Sequence, residues 1–171
     1  MTIATIKQHR LFYAIWPDEA TSESLMRLQA PLHGRKTHRD DFHITLVFLG
    51  ERSSELLPIF QEILMRISNV EMALVIDRLR YSRRNHMVRL EMTTPPPALF
   101  QLQSELTEEL TRRKIPFRQH PEFKPHITLA RDADAPGELP FAPITWHANR
   151  IALIESMIGV EGAKYRVLAS R

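Results

Sequence analysis

No cysteine occurs among the 171 residues, which excludes disulfides, thiolate metal ligands and cysteine nucleophiles together. Glycine is scarce, at 5 residues, and neither a G-x-x-x-x-G-K-[ST] loop nor a G-x-G-x-x-G turn is present to cradle a nucleotide phosphate. The G-x-S-x-G elbow of a serine hydrolase is missing too. No apolar run approaches the ~20 residues of a membrane-spanning helix. The opening Met1-Thr2-Ile3-Ala4-Thr5-Ile6-Lys7 lacks the charged and apolar regions of a secretion signal. These absences lead us to expect a cytoplasmic protein with no membrane contact.

Hydrophobic residues make up 43% and charged residues 25%, enough apolar content for a buried core and against wholesale disorder. The length suits one domain over 1–171. The formal charge is +3, a mild surplus that admits a polyanionic partner. It is unevenly spread. Arg112, Arg113, Lys114, Arg118 and Lys124 face Glu122 alone, and Arg78, Arg80, Arg83, Arg84 and Arg89 have only Glu91 nearby.

Apolar periodicity predicts strands over 10–16, 42–49, 71–79, 87–92, 126–130, 146–156 and 165–168, with 81–85 as a hairpin loop. It predicts helices over 18–32, after Pro17 and before Gly34, over 56–67 with Ser54 as N-cap, and over 99–114. Gly50 is expected to end the second strand. Strands with hairpin-like neighbours, interspersed with helices, indicate an α+β fold with mainly antiparallel sheets.

One pattern carries chemistry. His43-Ile44-Thr45-Leu46 recurs as His126-Ile127-Thr128-Leu129, about half the chain later. On a strand alternate side chains share a face, so each copy offers an imidazole and a hydroxyl pointing the same way, roughly 7 Å apart. Two such strands brought together by an approximate two-fold line a cleft with two histidines and two threonines. Imidazole titrates near neutrality and serves as acid or base; threonine hydroxyls can donate to phosphate oxygens. Catalytic zinc requires three protein ligands, whereas each copy supplies one, and Asp40 and Asp41 precede the first copy alone. The other histidines, His9, His33, His38, His86, His120 and His147, show no pairing and read as surface or structural, and Phe12 reads as core.

These stretches, with Val47-Phe48-Leu49-Gly50 after the first copy and Pro125 before and Ala130-Arg131 after the second, resemble the paired H-x-T-x motifs of the two-histidine phosphoesterase superfamily. They are most similar to its bacterial and archaeal RNA 2′,3′-cyclic phosphodiesterases, the LigT-like or 2′-5′ RNA ligase family. Arg10-Leu11-Phe12-Tyr13-Ala14-Ile15 is similar to that family's opening strand, and Tyr165 sits where a late tyrosine is expected. The resemblance implies one domain of two intertwined lobes with pseudo-two-fold symmetry. Two mainly antiparallel sheets would face a central cleft, with helices outside.

It also implies metal-independent, cofactor-free opening of a terminal 2′,3′-cyclic phosphate to a 2′-phosphate, with weak ATP-independent 2′-5′ RNA ligase activity as the same chemistry run in reverse. By the resemblance His43 is the proton donor and His126 the proton acceptor; the tetrapeptides are identical, so the residues themselves leave the roles open. Thr45, Thr128 and Arg131 would bind the phosphate. Strict alternation points Arg131 away from His126, so its role requires the strand to end or bulge near Ala130. The expected partner is an RNA with a 2′,3′-cyclic phosphate end, acted on by a monomer. Two other readings stay open: a phosphodiesterase of small cyclic nucleotides, and a non-catalytic RNA- or nucleotide-binding module.

Overall fold

The computed structural model describes residues 7–69, 71–160 and 162–171, so the opening residues read above for a secretion signal lie outside it, Lys7 excepted. It has three helices and ten strands in the order β1 (Gln8–Ile15), α1 (Glu19–Gln29), β2 (Arg35–Lys36), β3 (Ile44–Ser53), α2 (Leu57–Arg66), β4 (Met72–Ile76), β5 (Arg78–Ser82), β6 (Met87–Glu91), α3 (Pro97–Arg112), β7 (Ile127–Arg131), β8 (Ile144–Ala148), β9 (Ile151–Gly159) and β10 (Gly162–Ser170). The α+β class with antiparallel sheets is as expected. An eight-stranded sheet runs β10-β9-β1-β3-β7-β6-β5, with β2 on β7; β4 and β8 form a separate pair. Both motif strands thus belong to one sheet. They are joined by a single pair, Ile44 with Ile127.

Helix boundaries follow local chemistry. Asp18 caps α1, its Oδ1 accepting from Thr21 N at 2.7 Å. The helix stops at Gln29 rather than at 32 because Pro31 cannot donate the next backbone hydrogen bond. The Gln29 side chain then donates to the carbonyls of Thr37 (2.8 Å) and Leu129 (2.7 Å), tying the helix end to the motif strand β7. Ser53, not Ser54, caps the short 3₁₀ turn Ser54–Leu56 that leads into α2. Leu99, Leu102, Leu106 and Leu110 form the buried stripe of α3.

Two long apolar runs each divide between the sheets. The run over 71–79 breaks at Asp77 into β4 and β5, and Asp77 Oδ1 accepts from Thr93 N at 2.7 Å. The run over 146–156 breaks into β8 and β9. Leu74, Ile76, Trp146 and Ala148 of the small sheet join the helices over the back of the large sheet, in the core containing Leu11, Tyr13, Ile15, Leu46 and Leu129. Among the described residues no helix is long and apolar enough to cross a membrane.

Gly50 does not end β3. Its positive φ of 77° accompanies a register shift against β1, and the strand continues to Ser53. Gly34 is more constrained: at φ 116° an added Cβ would stand 2.7 Å from Ala133 Cα and 2.8 Å from the Arg131 carbonyl oxygen. At Gly50 an added Cβ would meet nothing within 4 Å. We therefore expect Gly34→Ala to cost more than the ~1–2 kcal/mol of a positive φ alone, and Gly50→Ala no more than that. Equal losses in a thermal-unfolding comparison would contradict this.

Candidate active site

Ile44 and Ile127 are buried on the core side, so the flanking motif residues turn to the opposite face. In an antiparallel pair the partner numbering runs in reverse. His43 thus lies across from Thr128, and Thr45 across from His126. The two histidines occupy one diagonal and the two threonines the other, around the dyad through the isoleucine pair. The two histidines stand near enough for the charge of His126 to act on His43. Each histidine immediately precedes its strand rather than lying within it.

A main-chain carbonyl two residues upstream holds each ring. His43 Nδ1 donates to the Asp41 carbonyl at 2.7 Å, and His126 Nδ1 to the Lys124 carbonyl at 2.9 Å. With Nδ1 as the donor, each neutral ring presents a lone pair on Nε2 to the cleft. The Thr45 hydroxyl donates to His43 Nε2 at 3.1 Å. Among the described residues nothing bonds His126 Nε2.

Both motif strands bulge at the same place. Ala14 and Tyr13 of β1 pair with Thr45 and Val47, skipping Leu46; Arg89 and Val88 of β6 pair with Thr128 and Ala130, skipping Leu129. Each extra residue reverses the alternation. Phe48 and Arg131, which strict alternation would send to the core face, therefore turn toward the cleft. The condition set by the sequence for Arg131 is met by this bulge, and its Nη1 lies 3.6 Å from Met87 Sδ, which also takes the Thr128 hydroxyl at 3.7 Å.

The surroundings of the two histidines differ. Trp16 stacks on His43 with ring centroids 5.0 Å apart and planes 9° apart; Phe12 lies at 5.1 Å and Tyr165 edge-on at 5.2 Å. Trp16 is fixed by its Nε1–H donating to the Asp40 carbonyl at 2.9 Å. Phe12 is buried, in agreement with its reading as core. The register places Arg89 beside Thr128 where Ala14 stands beside Thr45. Arg89 pairs with Glu91 at 2.7 Å, and Arg80, directly across from Arg89, also leans on Glu91 at 3.8 Å. One wall is thus aromatic and the other rich in arginine.

This asymmetry tunes the rings. Burial lowers the His43 pKa to about 4, with the charges of His126 and Arg131 acting the same way against the Asp41 carbonyl. His126 is also lowered, first by burial and then by Arg89 and Arg131, while the Lys124 carbonyl and Glu91 oppose the shift. Burial raises the Tyr165 phenol, although Arg131 pulls it down, and it stays a neutral hydroxyl.

The sequence singled out neither Trp16, Arg89 nor Glu91 as site residues. Trp16 had the only available signal, an aromatic at the end of an apolar strand. Of the unpaired histidines, His9 is structural, its ring 2.6 Å from buried Glu155, which also binds Arg166.

Two imidazoles and two hydroxyls on crossed diagonals define a two-histidine phosphoesterase. A family model described as the 2′-5′ RNA ligase superfamily matches residues 16–156. The RNA 2′,3′-cyclic phosphodiesterase of Escherichia coli is 33% identical over 141 residues, 80% of this chain and 80% of that one. The RNA 2′,3′-cyclic phosphodiesterase of Thermus thermophilus is 34% identical over 177 residues, 93% and 87% of the two chains. The crystal structure of Escherichia coli LigT in apo form superposes with a TM-score of 0.84 at 29% identity over 96% and 97% of the chains. Its complex with 3′-AMP gives 0.83 at 29% over 96% and 98%. The chain belongs to the 2′-5′ RNA ligase superfamily, and its curated relatives are enzymes.

In a side-chain NMR titration we expect His43 to change charge near pH 4 and His126 below its ordinary 6.5. A His43 midpoint at or above 6.5 would contradict the half-buried, ring-flanked geometry.

Proposed function

We propose that this chain is a metal-independent RNA 2′,3′-cyclic phosphodiesterase, working as one domain of two intertwined lobes that opens a terminal cyclic phosphate to a 2′-phosphate. The observation that carries this is the pair of Nε2 lone pairs, held by their Nδ1 bonds to carbonyls and facing one space from opposite ends of a diagonal. Both curated relatives bear the name of this activity. His126, whose Nε2 has no partner among the described residues, is the proton acceptor. His43, whose pKa burial lowers to about 4, is the donor by the resemblance of its motif. Once a monoanionic phosphodiester sits between them, its charge opposes the shifts that keep both rings neutral.

In the step, water attacks phosphorus and gives its proton to His126 Nε2. A P–O bond forms as the P–O3′ bond breaks, and O3′ takes the proton from His43 Nε2. The rings exchange protons with solvent to reset. The Thr45 and Thr128 hydroxyls donate to the non-bridging oxygens, and the Arg131 guanidinium neutralises developing charge. The same transfers with an RNA 5′-hydroxyl in place of water make a 2′-5′ bond without a triphosphate. Two ring nitrogens facing the cleft fall short of the three protein ligands of catalytic zinc, which supports chemistry without a metal. Each half of the site comes from the same chain, which supports action as a monomer.

His43→Ala and His126→Ala are each expected to lower turnover of an RNA 2′,3′-cyclic phosphate by at least ~10² with the fold intact, and EDTA to leave activity unchanged. A loss below tenfold in either variant, or activity restored to a chelated enzyme only by added metal, would sink the mechanism. The acid must be charged and the base neutral, so kcat/KM should peak between the two free-enzyme values, above about 4 and below 6.5. A profile still rising beyond pH 7.5 would contradict these lowered values.

A further inference from the structure

The strand that carries the cyclic phosphate leaves the site on a definite side. With His43 as the residue that protonates O3′, C3′ of the terminal ribose lies beside His43. C3′ is bonded to C4′, and C4′ carries C5′ with the rest of the chain. The base hangs from C1′, across the ring. The penultimate nucleotide is therefore directed past His43 and away from His126.

A pocket of about 490 Å³ opens on that side, and two of the rings that flank His43, Trp16 and Tyr165, form part of its wall. Trp16 is half-buried and held from several directions. Its indole stacks on His43, its Nε1–H donates to the Asp40 carbonyl at 2.9 Å, and its backbone N–H donates to the Arg150 carbonyl at 3.3 Å. Tyr165 stands edge-on to it, with centroids 6.3 Å apart. Val167 of β10 extends the apolar wall and is 51% exposed. An apolar shelf that water can reach thus adjoins the catalytic acid.

Most polar groups of the pocket already have partners. Asp18 caps α1, Glu19 holds Arg39 at 3.1 Å, and the Asp40 carboxylate stands 3.7 Å from His38. The half-buried Asp41 carboxylate and the exposed Arg150 guanidinium line the pocket without an ion-pair partner among the described residues. The pocket therefore presents an indole, one open cation and one open carboxylate. One nucleotide unit matches all three: a base face for the indole, a phosphodiester for the guanidinium, and base N–H groups for the carboxylate. A free phosphate would use Arg150 alone and would meet the carboxylates of Asp18, Glu19, Asp40 and Asp41.

We infer that this pocket seats the penultimate nucleotide of the substrate strand, with its base on Trp16 and the phosphodiester that joins it to the terminal nucleoside on Arg150. The enzyme then prefers an oligonucleotide end to a free cyclic nucleotide. The inference rests on the cyclic phosphodiesterase reading and on His43 as the proton donor to O3′. Trp16 touches the acid and the bound strand together. Contacts to a part of the substrate remote from phosphorus are made equally before and at the transition state, so the preference falls in KM rather than kcat.

The test compares three substrates: adenosine 2′,3′-cyclic phosphate, the dinucleotide GpA ending in a 2′,3′-cyclic phosphate, and the same dinucleotide with an abasic unit in place of guanosine. For the parent protein we expect kcat/KM on GpA to exceed that on the mononucleotide by at least ~fivefold, through KM, and the abasic unit to lose most of this gain. In Trp16→Leu and in Arg150→Gln the ratio of the GpA value to the mononucleotide value is expected to fall at least ~threefold, while Trp16→Phe, which keeps an aromatic face, retains most of it. Taking the ratio within one preparation cancels any effect on His43 and any unfolded fraction. Three results would overturn the inference: equal kcat/KM on GpA and the mononucleotide, an abasic dinucleotide as good as GpA, or a parental ratio in both Trp16→Leu and Arg150→Gln. The first would assign the site to free cyclic nucleotides. Should the parent hydrolyse none of the three, the phosphodiesterase reading fails, and calorimetric binding of the 2′-phosphate products decides the pocket separately. GpA 2′-phosphate is then expected to bind at least ~fivefold tighter than adenosine 2′-phosphate, and equal affinity would overturn the pocket.

Discussion

The site depends on one backbone pair. Ile44 and Ile127 are the sole register match joining β3 and β7 among the described residues, and an antiparallel pair carries its own local dyad. That contact turns two copies of a linear H-x-T pattern, far apart in sequence, into an arrangement with histidines on one diagonal and threonines on the other. A longer ladder would close the sheet flat across this position. One pair followed by divergence joins the halves and leaves room between them. The bulges at Leu46 and Leu129 complete the effect, since without them Phe48 and Arg131 would point into the core.

On this symmetric frame the chemistry is made unequal by neighbours. Burial disfavours the His43 cation, while around His126 the sheet offers Arg89, Glu91 and Arg131. Two identical tetrapeptides thereby sit in different surroundings, and both rings are held below the ordinary imidazole value. The arginine-rich wall has a stability cost of its own. Arg80 and Arg89 lie directly across from each other and share the single carboxylate of Glu91, an arrangement of like charges that is unfavourable in a sheet.

Much of this was legible in the sequence. The amphipathic stripe of α3 and the alternation within each motif are local patterns, and they named the elements and the face on which His43, Thr45, His126 and Thr128 lie. Pro31 carried a readable signal for the end of α1 that the leucine spacing outweighed. The breaks at Asp77 and before Ile151 were hidden because both sides of each are apolar and buried, so periodicity runs through them although the chain changes sheets. The bulges left a faint mark, two consecutive apolar residues after each threonine (Leu46-Val47 and Leu129-Ala130). That Trp16 covers His43, and that Arg89 stands beside Thr128, are facts of strand order and register. No local pattern contains them.

The central claim is that both Nε2 atoms address one phosphorus. The most direct measurement is a crystal structure with a short RNA ending in the 2′-phosphate product. The account predicts the phosphate seated over the isoleucine pair, within hydrogen-bonding distance of His43 Nε2 and His126 Nε2 together, with Thr45 and Thr128 on its remaining oxygens. A phosphate held by one histidine alone, or bound elsewhere on the sheet with both rings free, would contradict it.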